Sequence, residues 1–231
     1  MERHDHRARA VLLDAGGTLF RESPTRYEVY AAAARARGLR VDDEEMKRRM
    51  GEAHDLLPRE IDGHFRYTEP WFRSFIEVVF SGLGFRGDWG GLFSELFATF
   101  RDGAMFHPFD DARALLARLR GARVPVAVVS NWSPPLPRIL AAIGLARHVD
   151  VIVTSAVVRL EKPEPAIFRR AADALSVPID ACLHVGDRVD LDLDGARSAG
   201  ADARLIDREG RRPDLSDRVA SLEEIFPLVG R

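Results

Sequence analysis

Cysteine is almost absent. Cys182 stands alone among 231 residues, so no disulfide can form within the chain, and the expected compartment is a reducing one, the cytoplasm. Its neighbours in Ala181-Cys182-Leu183-His184-Val185 predict a buried small hydrophobe rather than a nucleophile. No apolar run is long enough to act as a signal or to span a bilayer, and the start of the chain, Met1 to Arg7, is highly charged. No membrane partner is expected. An excess of one charge is lacking too. The 34 Lys and Arg against 36 Asp and Glu leave a formal net charge of −2, which argues against a nucleic-acid partner. Repeats and low-complexity linkers are missing. His4 and His6 read as part of a solvated arm rather than a metal site. What the chain does have is 46% hydrophobic residues, enough for a sizeable core in one large domain or two small ones.

The pattern changes twice along the chain. Val11-Leu12-Leu13 reads as a short buried strand. From Phe20 to about Phe106 the spacing is helical, with no convincing buried strand. One helix is expected from Thr25 to Arg37 with Gly38 as its stop, and another from Asp42-Asp43 toward Leu57. Beyond a turn at Asp62-Gly63, aromatic-rich helices are expected over Trp71 to Phe80 and Leu92 to Phe100, their aromatics forming a small core. After Phe106 helices and strands alternate: helix Asp110–Gly121, strand Val124–Asn131, helix Leu136–Ile143, strand Val149–Ser155, helix Glu164–Leu175, strand Ala181–Val185, a helix after Asp194, strand Ala203–Ile206 and a last helix Leu222–Val229. That alternation predicts an α/β fold, a doubly wound parallel sheet covered on both faces.

Polar residues fall where these strands end. Asp14 follows the first strand and precedes Gly16-Gly17, Ser130-Asn131 end the second, Lys162-Pro163 lie after the third, and Gly186-Asp187 end the fourth with Asp192 five positions on. In an open parallel sheet such positions converge on one edge, where ligands bind. Each alone is equally a turn residue or a solvated charge; their convergence is the signal.

These segments, in this order and context, resemble the haloacid dehalogenase-like (HAD) hydrolase superfamily. The resemblance covers Val11 to Phe20 and Phe106 to Asp207. It implies a Rossmann-like core from residues 1–20 and 104–231 and a smaller helical cap domain from 21–103, inserted between the first two motifs. It also implies a Mg²⁺-dependent phosphatase of small phosphorylated metabolites working through an aspartyl phosphate. Carried over residue by residue, Asp14 is the nucleophile. Asp14, the Gly16 carbonyl and Asp187 hold the metal, with Asp192 supporting that shell. Lys162 neutralises charge, Ser130 and the N–H groups near Gly16-Gly17 bind phosphoryl oxygens, Thr18 orients, and Asn131 with Trp132 lines the substrate side. The only expected partner is the substrate, to a monomer or homodimer.

One departure matters. Phosphatases of the superfamily mostly carry a second aspartate two positions after the nucleophile, and here that residue is Gly16. The missing carboxylate protonates the leaving group and later deprotonates water, help typically worth ~10² to 10⁴ in rate. Three readings follow. A phosphatase could draw an acid from Glu52, His54, Asp55, Glu60 or His64, or act on leaving groups that need none. A 2-haloacid dehalogenase needs no acid, but its fourth motif is not a metal-binding acidic pair like Asp187 and Asp192. A binding or regulatory protein could keep the fold without turnover.

Overall fold

The computed structural model describes residues 7–230, so His4 and His6 lie outside the described residues. The chain divides into two compact units, one built from the stretches before Glu22 and after Phe106, the other from Glu22–Phe106. No helix among the described residues is long and apolar enough to cross a membrane.

The first unit holds a six-stranded sheet. Its strands are β1 Ala10–Leu13, β2 Val126–Ser130, β3 Val151–Thr154, β4 Cys182–Gly186, β5 Asp202–Ile206 and β6 Arg218–Val219. They lie in the order β6-β5-β4-β1-β2-β3, and every pairing is parallel. The chain therefore winds outward from β1 through β2 to β3, then returns to β1's other side with β4. The reversal opens a crevice at the carboxyl ends of β1 and β4, the switch point at which such sheets bind ligands.

The strands are short apolar runs because both faces are covered. Ala10, Leu12, Ala127, Val129, Ala203 and Leu205 pack against Ile167, Phe168, Ala171 and Ala172 of helix Pro165–Ala174 and against Leu193, Ala196 and Ala199. The alternating Val11, Leu13, Val126 and Val128 are equally buried and point to the opposite face. Cys182 belongs to the first cluster, and burial pushes its thiol up to about 11. It is a packing residue, as its neighbours implied.

The second unit is helical: Arg26–Arg35, Asp43–Leu56, Glu69–Phe80 and Trp89–Arg101. Thr25 and Glu28 form a capping box on the first, and Asp42 accepts from the Glu45 N–H at 2.8 Å to cap the second. Trp71, Phe75, Ile76, Val79 and Phe80 recur at helical spacing and are all buried. The Trp71 indole N–H donates to the Pro58 carbonyl at 2.8 Å, which satisfies its polar end.

The structure differs from expectation in several places. A hairpin of two-residue strands, Glu60–Ile61 and His64–Phe65, flanks Asp62-Gly63; strands that short carry no readable alternation. The edge strand β6 is likewise only two residues long. The helix after Asp194 is only Gly195–Ala199 and is preceded by a π-helical turn, Val189–Asp194. The last element is a 3₁₀ helix, Leu222–Leu228, with Pro227 inside it.

Phe168 is fully buried beneath the sheet and meets the His184 ring edge-on at 5.0 Å. Phe168→Ala is expected to cost about 3–5 kcal/mol through lost burial and the cavity left behind, read as a lower urea midpoint with an unchanged slope.

Candidate active site

Asp14 is the first residue beyond β1, and its N–H donates to the Val185 carbonyl of β4 at 2.9 Å. That bond sets the carboxylate at the switch point. Asp14 Oδ1 accepts from Ser130 Oγ, at the end of β2, at 2.9 Å and from Lys162 Nζ at 2.6 Å. The same ammonium donates to Asp192 Oδ1 at 2.5 Å. Asp192 Oδ1 also contacts His184 Nε2 at 3.0 Å, and its Oδ2 accepts from the Arg188 N–H at 3.1 Å. Asp14, Ser130, Lys162, His184 and Asp192 are all buried, so these are charge-assisted bonds in a region of low dielectric.

Electrostatics follow from the crowding. Burial raises the Asp14 carboxyl above its ordinary value, with Lys162 opposing the shift and Asp192 adding to it. Burial also disfavours ionised Asp192, yet the Lys162 charge and the His184 hydrogen bond outweigh it and hold that carboxyl well below the usual range. Burial alone would lower Lys162; the two carboxylates hold it above its ordinary value instead. Asp187, exposed at the crevice mouth, is pushed up to about 7 by partial desolvation and by the charges of Asp14 and Asp192.

Asp14, Asp187 and Asp192 each bring one carboxylate oxygen within 4.8 Å of the others. One ammonium faces three acids, and hard oxygens of this kind suit Mg²⁺. The fit is uneven across the three. Both oxygens of Asp192 are taken by protein donors, whereas the two side-chain donors to Asp14, Ser130 and Lys162, both reach Oδ1. Asp14 and Asp187 therefore suit direct ligation, and Asp192 suits support through Lys162.

The glycines are explained by space. Gly17 has φ +79°, and a Cβ there would come within 2.8 Å of Asp187 Cγ. A Cβ on Gly186 would come within 2.6 Å of the Asp192 Cβ, so the strand must end in glycine for Asp192 to turn inward.

Asn131, just beyond the end of β2, is half-buried. Its amide clamps the Lys162 backbone, donating to the Lys162 carbonyl at 3.0 Å and accepting from the Lys162 N–H at 2.8 Å. Thr18 is fully buried, and among the described residues its hydroxyl meets no hydrogen-bond partner; its carbonyl accepts from Arg208 Nη2 at 2.9 Å. Of the candidate acids in the helical unit, Glu52 pairs with Arg48, His54 contacts the Tyr67 hydroxyl at 3.1 Å, and Asp55, Glu60 and His64 are exposed. Two residues carried no reading from sequence: His184, disguised within an apolar strand, and Arg208, whose guanidinium also pairs with Asp111 at 2.6 Å. A histidine on the buried face of a strand was the available signal for the first.

The family model described as haloacid dehalogenase-like hydrolase matches residues 8–200. The chain belongs to the haloacid dehalogenase-like hydrolase family. Its relatives include Phosphatase MT3486 of Mycobacterium tuberculosis, 31% identical over 89% of this chain and 90% of its own length. They also include (S)-2-haloacid dehalogenase 4A of Burkholderia cepacia, 30% identical over 61% of this chain and 62% of its own. Among solved structures, a HAD phosphatase from Thermococcus onnurineus superposes with a TM-score of 0.67 at 26% identity, covering 96% of this chain and 97% of that one. Membership gives the chain the family's hydrolase class.

Two stability outcomes follow. Lys162→Met leaves two buried carboxylates without their cation and should cost about 3–5 kcal/mol in metal-free urea denaturation. Thr18→Val removes a hydroxyl that makes no bond, and the midpoint should move by less than about 1 kcal/mol.

Proposed function

We propose that this HAD-family hydrolase is a Mg²⁺-dependent phosphatase of small phosphorylated metabolites with Asp14 as nucleophile. The observation that carries the reading is the buried bridge from Asp14 through Lys162 to Asp192, with Asp187 and Ser130 beside it at the switch point. We also assign residues 22–106 the part of the cap domain.

Asp14 attacks through one carboxylate oxygen and leaves the other to the metal. Its bond to phosphorus forms as the bond from phosphorus to the leaving oxygen breaks, and the leaving group takes its proton from water. Water then attacks phosphorus, the bond to Asp14 breaks, and phosphate and the carboxylate are regenerated, the displaced proton passing to solvent. Splitting one displacement into two lowers each barrier. Lys162 holds Asp14 through Oδ1 and offsets the repulsion between two anions. Ser130 Oγ fixes the same oxygen. Asp14 and Asp187 would hold Mg²⁺, which when bound neutralises phosphoryl charge and aligns the reacting oxygens. No side chain at Gly16 donates a proton, so good leaving groups are favoured.

A second reading, attack of Asp14 on a halogenated carbon, draws on the same lack of an acid at Gly16. The three clustered acids weigh against it, since a metal-free site gains nothing from their repulsion.

With Mg²⁺ and acetyl phosphate, steady phosphate release is expected, falling by a factor on the order of 10³ or more in Asp14→Asn and abolished by EDTA. Halide release from a 2-chloro acid in EDTA would overturn the reading in favour of the dehalogenase. Binding of Mg²⁺ and phosphate without turnover or a phosphate adduct in the intact mass would overturn it in favour of a binding protein.

A further inference from the structure

Gly16 and Trp132 compete for one space. A Cβ built on Gly16 would lie 3.0 Å from Trp132 Cζ3 and 3.6 Å from Cη2, closer at the first atom than close-packed carbons settle without one of them moving. The benzo edge of the indole therefore fills the room into which a side chain at position 16 would project. It is held there. The buried Phe20 ring meets it edge-on at 5.6 Å and 87°. The Trp132 backbone is also fixed: its N–H donates to the buried Ser155 Oγ at 3.1 Å, and its carbonyl accepts from the Ala156 N–H at 3.3 Å. The residue is nonetheless only half-buried, so part of its surface stays open to a ligand.

Two properties of the site converge. The residue that protonates a leaving group is missing, and the space its side chain would enter holds an aromatic wall. We propose that Trp132 is a specificity-determining residue whose indole, filling the place beside Gly16, is the wall against which a planar aromatic leaving group packs, which makes aryl phosphate monoesters the substrate class. The inference rests on the phosphatase reading above. An aryl oxide is a weak enough base to depart without an acid: the Asp14 oxygen bonds to phosphorus, the bond from phosphorus to the aryl oxygen breaks with its electron pair on that oxygen, and water supplies the proton. The same ring offers a π-face to the indole, whereas an alkyl group offers neither advantage. A stacked aromatic contact of this kind is worth about tenfold in affinity.

Leaving-group basicity and shape are separated by comparing phenyl phosphate with hexafluoroisopropyl phosphate, whose leaving groups are of similar basicity but differ in planarity. In the wild-type chain with Mg²⁺, kcat/KM should favour phenyl phosphate by about tenfold. Trp132→Leu should remove that preference, chiefly through KM, leaving the fluoroalkyl ester within about twofold, and Trp132→Phe should retain most of it. In the Asp14→Asn background, calorimetry should show phenyl phosphate bound about tenfold more weakly once Trp132→Leu is added, a readout independent of turnover. Thermal melts of each variant establish that it is folded, and Trp132→Phe carries the test if the leucine variant is not. Equal turnover of the two esters by the wild-type chain, an equal loss on both in Trp132→Leu, or identical behaviour of the Leu and Phe variants would overturn the proposal and leave the phosphatase reading standing. Absence of turnover of phenyl phosphate by a wild-type chain that releases phosphate from acetyl phosphate would also overturn the proposal, whereas absence of turnover of all three would overturn the phosphatase reading.

Discussion

The Lys162 ammonium, buried between Asp14 and Asp192, is the contact on which the rest of the site depends. Two carboxylates cannot be brought out of water side by side without a cation between them, because the low dielectric that strengthens attraction also strengthens repulsion. Lys162 resolves that conflict and adds geometry to it. Asp14 is held by its Oδ1, and Asp192 is turned inward beneath a strand end that must be glycine. The surrounding residues read as consequences: Asn131 fixes the Lys162 backbone from both sides of its amide, and His184 and the Arg188 N–H complete the bonding of Asp192.

That arrangement needs the topology. Asp14, Ser130 and Asp187 are far apart in the chain and adjacent in space because β1, β2 and β4 are parallel neighbours whose carboxyl ends share one edge. The crevice exists because the winding reverses at β1. A meander of the same strands would scatter these side chains between two edges. The short apolar strands β1, β2 and β4 are the condition for this order.

Legibility in the sequence followed length and period. The core strands and the helices of Glu22–Phe106 were readable from apolar runs and helical spacing, with Trp71, Phe75 and Phe80 on one buried stripe. The two-residue hairpin strands, β6 and the π-helical turn at Val189–Asp194 were not, since elements that short have no period to read. Asp14, Ser130, Lys162, Asp187 and Asp192 stood out because each is a polar residue ending or following an apolar run. Asn131 also stood out, but its bonding to a backbone thirty-one positions away has no signature in local sequence. His184 was hidden by the strand that contains it.

The sequence by itself determined the fold class, the order of the site residues along the chain and the absence of a carboxylate at Gly16, because these depend on local pattern and residue identity. Tertiary structure alone decided which oxygen of Asp14 Lys162 and Ser130 engage, that both oxygens of Asp192 are held by protein donors, and that the place beside Gly16 is filled by Trp132. Each of these is a distance between segments that share no periodicity, set only when the parallel sheet closes and brings its strand ends together.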